Sequence, residues 1–207
     1  MTPPASVASP GLAALHAAAA AVGLTVSSSA AWPETDAAEV PAIAGFIDSN
    51  FSPLLAQVAE RALAGRAQPQ ASGKVTAIVM VTALGDVTSA TRVAAAVDAG
   101  KRVPPLQFFQ SVPNAVAGYL AARWHLTGPV VCVSGTRTGL DVAALLIDDA
   151  DADEALVVSV DLAVTDGDQD SAAAILVTGP ADQEPNEQEG KGSNEHLRHR
   201  PHRALCG

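Results

Sequence analysis

A chain of 207 residues is long enough for one domain with a proper core and short for two. Its composition, 48 % hydrophobic but only 3 % aromatic, calls for a core of Ala, Val and Leu, which favours helices packed closely on a sheet. A formal net charge of −10 argues against binding a nucleic-acid backbone, and no apolar stretch is long and clean enough to span a bilayer.

The apolar start, Leu12 to Val26, lacks the positive charge of a secretory leader, because no Lys or Arg precedes Arg61. It reads as an alanine-rich helix over Leu12–Val22 and a short strand over Leu24–Ser28 leading to Trp32, in a protein expected to be cytoplasmic. Pro33–Pro41 is a polar, acidic loop. Phe51–Ala64 predicts a helix with Ser52 as N-cap, Pro53 in the first turn and Leu54, Leu55, Val58, Ala59 and Ala62 on one face. Gln68–Gly73 is a linker of turn residues.

Val75–Val81 is a continuous apolar run, the pattern of a strand covered on both faces. A helix over Thr88–Ala99, closed by Gly100, and another over Ala115–Trp124 precede a strand at Val130–Ser134. Gly139–Ile147 is a helix apolar nearly all round and is therefore expected to be buried. Asp148–Glu154 reads as an acidic, solvated turn, and Ala155–Val160 and Ala172–Val177 as two further buried strands. Strands alternating with helices predict a layered α/β domain over residues 1–178. From Gly179 the chain turns polar and ends in a basic cluster with His196, His199 and His202, so residues 179–207 are expected to form a disordered tail. Cys132 and Cys206 offer neither a disulfide framework nor a metal-ligand spacing, and no cofactor or metal is expected.

The stretch Phe108–Ala144, FFQSVPNAVAGYLAARWHLTGPVVCVSGTRTGLDVAA, holds the most informative spacing. Asn114 and Gly118 sit four apart on one helical face, where a glycine lets another element come close. Gly128-Pro129 ends a helix and begins a strand, and Gly135 provides a tight turn before the next helix. Taken in order, Ser111–Gly118, Gly128-Pro129 and Gly139-Leu140-Asp141 resemble the N-terminal half of a β-ketoacyl synthase. Ala155–Asp161 and Asp170–Val177 are similar to later strands of that fold, and Phe51–Leu63 resembles short ketosynthase-like proteins that include stand-alone chain-length factors. The resemblance covers roughly Leu24 to Thr178. It implies a thiolase-like half-fold: a layered mixed sheet with helices on both faces and one buried helix.

In that family a cysteine at the turn before the buried helix takes the acyl group. Counted from Gly128-Pro129, its position here holds Arg137, which is not a nucleophile at neutral pH. Cys132 lies five residues earlier, in a strand with no turn to expose it, and Ser134, Thr136 and Thr138 show no pattern for an activating base. The family's catalytic histidines belong to a second half that this chain is not expected to contain. The resemblance therefore implies a non-catalytic subunit, of the chain-length-factor type, that forms a heterodimer with a full-length β-ketoacyl synthase and walls its acyl or polyketide tunnel. Carried over by position, Phe109, Val112 and Val116 would line the tunnel, with Cys132 and Ser134 on the strand that meets the partner. Acyl carrier protein is a further expected contact, and neither nucleic acid nor membrane is. Two alternatives stay open: a small acyl-transfer enzyme using Cys132, and a free-standing acyl or carrier-protein binding module.

Overall fold

The structure is a computed structural model and describes residues 9–33, 39–40, 42–66, 73–165 and 167–180. In chain order the elements are α1 (Pro10–Ala21), β1 (Thr25–Trp32), α2 (Phe51–Ala64), β2 (Thr76–Val81), α3 (Val87–Asp98), α4 (Pro105–Gln110), α5 (Asn114–Trp124), β3 (Val130–Val133), α6 (Thr136–Asp148), β4 (Glu154–Asp161) and β5 (Ser171–Thr178). The strands form one mixed sheet in the order β1-β5-β4-β2-β3. β2 runs parallel to β3 and β4, and β5 runs antiparallel to β4 and β1. The parallel crossovers carry the helices, and the antiparallel turn from β4 to β5 needs none. This layered mixed sheet with helices on both faces is the architecture that the resemblance implies.

Alternation along the strands divides the core into two layers. Ile78 and Met80 of β2, Leu156 and Val158 of β4 and Leu176 of β5 face α2 and α5. Ala77, Val79, Val81, Val157 and Ile175 face α1 and α6. β2, β4 and β5 are therefore buried on both faces, which is why their sequences read as unbroken apolar runs.

Several expectations need correction. Ser52 is not the cap of α2: the helix begins at Phe51, Ser52 is buried in its first turn, and the Phe51 N–H donates to the Ser49 hydroxyl. β1 extends to Trp32 because β5 supplies pairing partners through Ala172. Residues 105–110, for which no helix was expected, form a helical turn and a half, started by Pro105 with its preset φ. Glu154 is not part of a solvated turn; it opens β4, is buried, and is held by Arg66 at 2.8 Å and the Thr76 hydroxyl at 2.8 Å. The linker at 68–72, most of the loop at 33–41 and the tail from 181 lie outside the described residues.

The buried helix is the largest correction. α6 starts at Thr136, and only Gly139, Leu140 and Ala143 are buried, while Leu145 is 57 % exposed. The sheet covers one side of α6 and α1 flanks it. Among the described residues nothing covers its outer side.

Glycine placement also differs from expectation. A Cβ at Gly118 would meet nothing within 4 Å, so no element approaches there. The close approaches fall at Gly128, where a Cβ would run into the Thr76 backbone, and at Gly139, where it would overlap the Val81 side chain. Gly128→Ala should therefore lower the free energy of unfolding by about 1–3 kcal/mol through overpacking. Gly118→Ala should raise it by roughly 0.5–1 kcal/mol through helix propensity. Urea denaturation of the two variants checks both signs.

Candidate functional site

Parallel strands aim their C-terminal ends at one edge of the sheet, and loops there can converge on a ligand. β2, β3 and β4 deliver Thr82, Ser134 and Asp161 to that edge. Two side chains tie the edge loops down. Asp86 is buried at the start of α3 and accepts from the Ser89 N–H at 3.0 Å and the Ser89 hydroxyl at 2.8 Å. Asp161 accepts from the Ala83 N–H at 3.3 Å. No group of His, Cys, Asp and Glu among the described residues has the arrangement of a metal site.

From β3 the chain turns sharply into α6. Gly135 makes the turn at φ 89°, a value that a side chain disfavours, and its carbonyl accepts the Gly139 N–H at 3.1 Å. Gly139 then lets α6 settle directly on Val81. Arg137 thus lies in the first turn of α6 with its side chain 65 % exposed. A cation there opposes the helix dipole. Asp141, one turn on, answers it by accepting from the Arg137 Nε at 2.9 Å. That pair is exposed at both ends, so it contributes only a few tenths of a kcal/mol, about 0.3.

The remaining expected site residues divide into two groups. Cys132 and Ser134 follow each other out of β3 toward Arg137, and both are exposed. Cys132 stands beside Met80 of β2, and burial of its sulfur raises the thiol pKa. Phe109 and Val112 lie on α4 and just after it, 58 % and 43 % exposed. Val116 does not join them: it is fully buried in the layer between α5 and the sheet. α5 touches both α4 and β3 and is the element that links the two groups. Sequence reading missed Asp86 and Asp141. The D-x-x-S spacing of Asp86 and Ser89 and the four-residue spacing of Arg137 and Asp141 were the available signals.

Residues 18–177 match the family model of the beta-ketoacyl synthase, N-terminal domain. The chain belongs to this family. No curated protein matches it. Among solved structures, it is similar to the ketosynthase (ApeO) in complex with its chain length factor (ApeC) from Xenorhabdus doucetiae, at 19 % identity and a TM-score of 0.55, over 72 % of this chain and 66 % of that one. It is similar also to the ishigamide ketosynthase/chain length factor, at 22 % identity and a TM-score of 0.57, over 73 % of this chain and 50 % of that one. A third similar structure is ketosynthase twelve of the bacillaene polyketide synthase from Bacillus amyloliquefaciens, at 16 % identity and a TM-score of 0.50, covering 65 % of this chain and 28 % of that one. The ketosynthase-type domain thus spans less than two thirds of each. At these identities the likeness establishes the fold. No helix among the described residues is long and apolar enough to cross a membrane.

The electrostatics at Cys132 run opposite to what a ketosynthase-type nucleophile needs. A reactive cysteine has its thiolate stabilised, whereas partial burial here favours the neutral thiol. Alkylation of Cys132 by iodoacetamide should therefore be slower at pH 7 than that of an exposed peptide thiol. Its rate should rise with pH to a midpoint above the ordinary value of about 8.5. Peptide-resolved mass spectrometry over a pH series measures this; a midpoint below the ordinary value would contradict the assignment.

Proposed function

We propose that this ketosynthase-type domain is a non-catalytic subunit, of the chain-length-factor kind, that pairs with an active β-ketoacyl synthase and helps shape its acyl or polyketide tunnel. The observation that carries the reading is Arg137. The turn that would present a nucleophile is built, with Gly135 at φ 89° and Gly139 seated on Val81, yet it presents a guanidinium paired to Asp141. Such a group neither attacks a thioester nor holds one. Cys132 does not substitute, because its pKa is moved up and it sits in mid-strand.

Pairing is supported by two surfaces. β3 bonds to β2 on one side, and no described strand pairs with its other side. Val130 and Cys132 are exposed there, and an apolar edge left open invites another strand. Leu106 and Phe108 are exposed on α4, apolar surface that a partner would cover. Phe109 and Val112 serve as tunnel-facing residues whose volume limits chain growth, because overfilling an apolar channel is costly. Val116 acts from behind by setting the position of α5. Acyl carrier protein engages the assembled pair.

Two substitutions test the proposal in cells that also express a full-length β-ketoacyl synthase. Val130→Lys places a charge on the open edge and should reduce the co-purified ketosynthase at least about tenfold, with the melting temperature of the free chain unchanged. Phe109→Ala should leave the pair intact and shift its products to longer chains, read by mass spectrometry. If both variants give wild-type yield of complex and wild-type products, the reading fails.

A further inference from the structure

Between β2 and α5 the chain makes one long excursion, residues 83–113, that holds α3 and α4. Within it only Asp86, Ser89 and Gln110 are buried, and all three are polar. Neither core layer takes a residue from it. α3 rests on α4, and α4 on α3 and α5, while neither makes a substantial contact with the sheet. The large apolar side chains it carries, Leu106, Phe108 and Phe109 among them, are exposed. The apolar burial that fixes the other helices to the sheet is therefore missing here.

The two roots of the excursion stand side by side. Gly85 has a φ of 65°, and a Cβ on it would lie 3.6 Å from the Pro113 ring. Each root is held by the body of the domain. The Ala83 N–H donates to Asp161 at 3.3 Å and the Gly85 N–H to the Thr82 hydroxyl at 3.0 Å. Pro113 leads into α5, whose Val116, Ala117 and Leu120 are buried. Adjacent fixed roots let the span between them turn as one piece, with the backbone change confined to a few residues.

What holds the span down is polar. Asp86, Ser89 and Gln110 line one small pocket with Ser49 and Ser52 at the start of α2. Within it Asp86 accepts from both the N–H and the hydroxyl of Ser89, which ties α3 to itself and not to the body. The Arg92 Nη1 donates to Asp48 at 3.2 Å, but Arg92 is 52 % exposed in that pair, so water screens it. Water replaces such contacts at small net cost, unlike buried apolar surface.

We propose that residues 83–113 form a strap that opens and closes as one unit on the adjoining roots at Gly85 and Pro113, with the polar pocket as its latch. Asp86 and Ser89 close the latch from α3, and Gln110 closes it from α4. Phe109 rides on the strap next to Gln110, so the latch sets where that side chain stands. Closing seats Phe109 against the tunnel, and opening withdraws it. This consequence rests on the pairing proposed above, whereas the movement itself belongs to the free chain.

Hydrogen–deuterium exchange of the full chain alone, resolved by peptide, tests the movement without any partner. Amides of α3 and α4 should exchange at a common rate, at least about a hundredfold faster than those of β2, β4 and β5. Asp86→Ala should speed exchange about fivefold in α3 and by the same factor in α4. Gln110→Ala should likewise speed both helices together, although neither substitution removes a backbone bond of the other helix. Circular dichroism melts confirm that each variant folds, and Ser89→Ala stands in for either that does not. Protection of α3 and α4 equal to that of the sheet would overturn the proposal. So would a substitution that speeds only the helix carrying it, the sign of local fraying in place of a strap.

Discussion

The contact on which the rest of the molecule depends is the seating of α6 on β2 at Gly139. A side chain at that position would occupy the space of the Val81 methyl group, so only glycine lets the helix come down onto the sheet. Once it does, the turn at Gly135 must be tight, the first turn of α6 must stand at the C-terminal edge of the parallel strands, and position 137 must project from it. Gly128 does the same at the other end of β3, where it lies against the backbone of Thr76 and closes the register of β3 on β2. Both ends of the short edge strand are thereby fixed by glycines. The first turn of α6, which these two glycines set at the sheet edge, carries Arg137.

The sheet itself explains what is left uncovered. β4 at its centre has strands on both sides, and β2, β4 and β5 are buried on both faces, so hydrogen bonds and packing there are satisfied within the domain. Among the described residues, unused bonding capacity remains at the outer sides of both edge strands, β1 and β3, and unused apolar surface at α4 and on the outer side of α6. Each of these costs free energy in water, and each lies away from the layers that hold the fold together. The buried Glu154–Arg66 pair at the opposite end of β4 adds a polar fixed point, since removing either partner would leave a charge stranded in the interior.

Much of this was legible in the residues. The runs Val75–Val81 and Ala172–Val177 could only be strands covered on both faces, and Phe51–Ala64 announced its helix by period and by Pro53. The tight turn at Gly135 was legible before the helix, whereas the role given to Arg137 came only from the family resemblance. What was not legible depended on distant partners. Glu154 looks like one more acidic turn residue until Arg66 and Thr76, far away in sequence, enclose it. The apolar pattern of Gly139–Ile147 suggested burial all round, but pattern records what a helix tolerates and not what covers it. Gly118 and Gly139 look equally capable of a close approach, and only the packing of α6 on Val81 separates them.

The central claim, that the open side of β3 is where a ketosynthase joins, has a direct physical readout in backbone exchange. The Ile78 N–H donates to the Pro129 carbonyl and the Thr82 N–H to the Val133 carbonyl, so the odd-numbered residues of β3 face β2. By alternation the amides of Val130 and Cys132 face outward. Hydrogen–deuterium exchange of the chain, free and with its ketosynthase, should show the peptides that contain Val130–Val133 becoming protected in the complex, with β5 unchanged. Exchange at β3 that is the same with and without the ketosynthase would contradict the account.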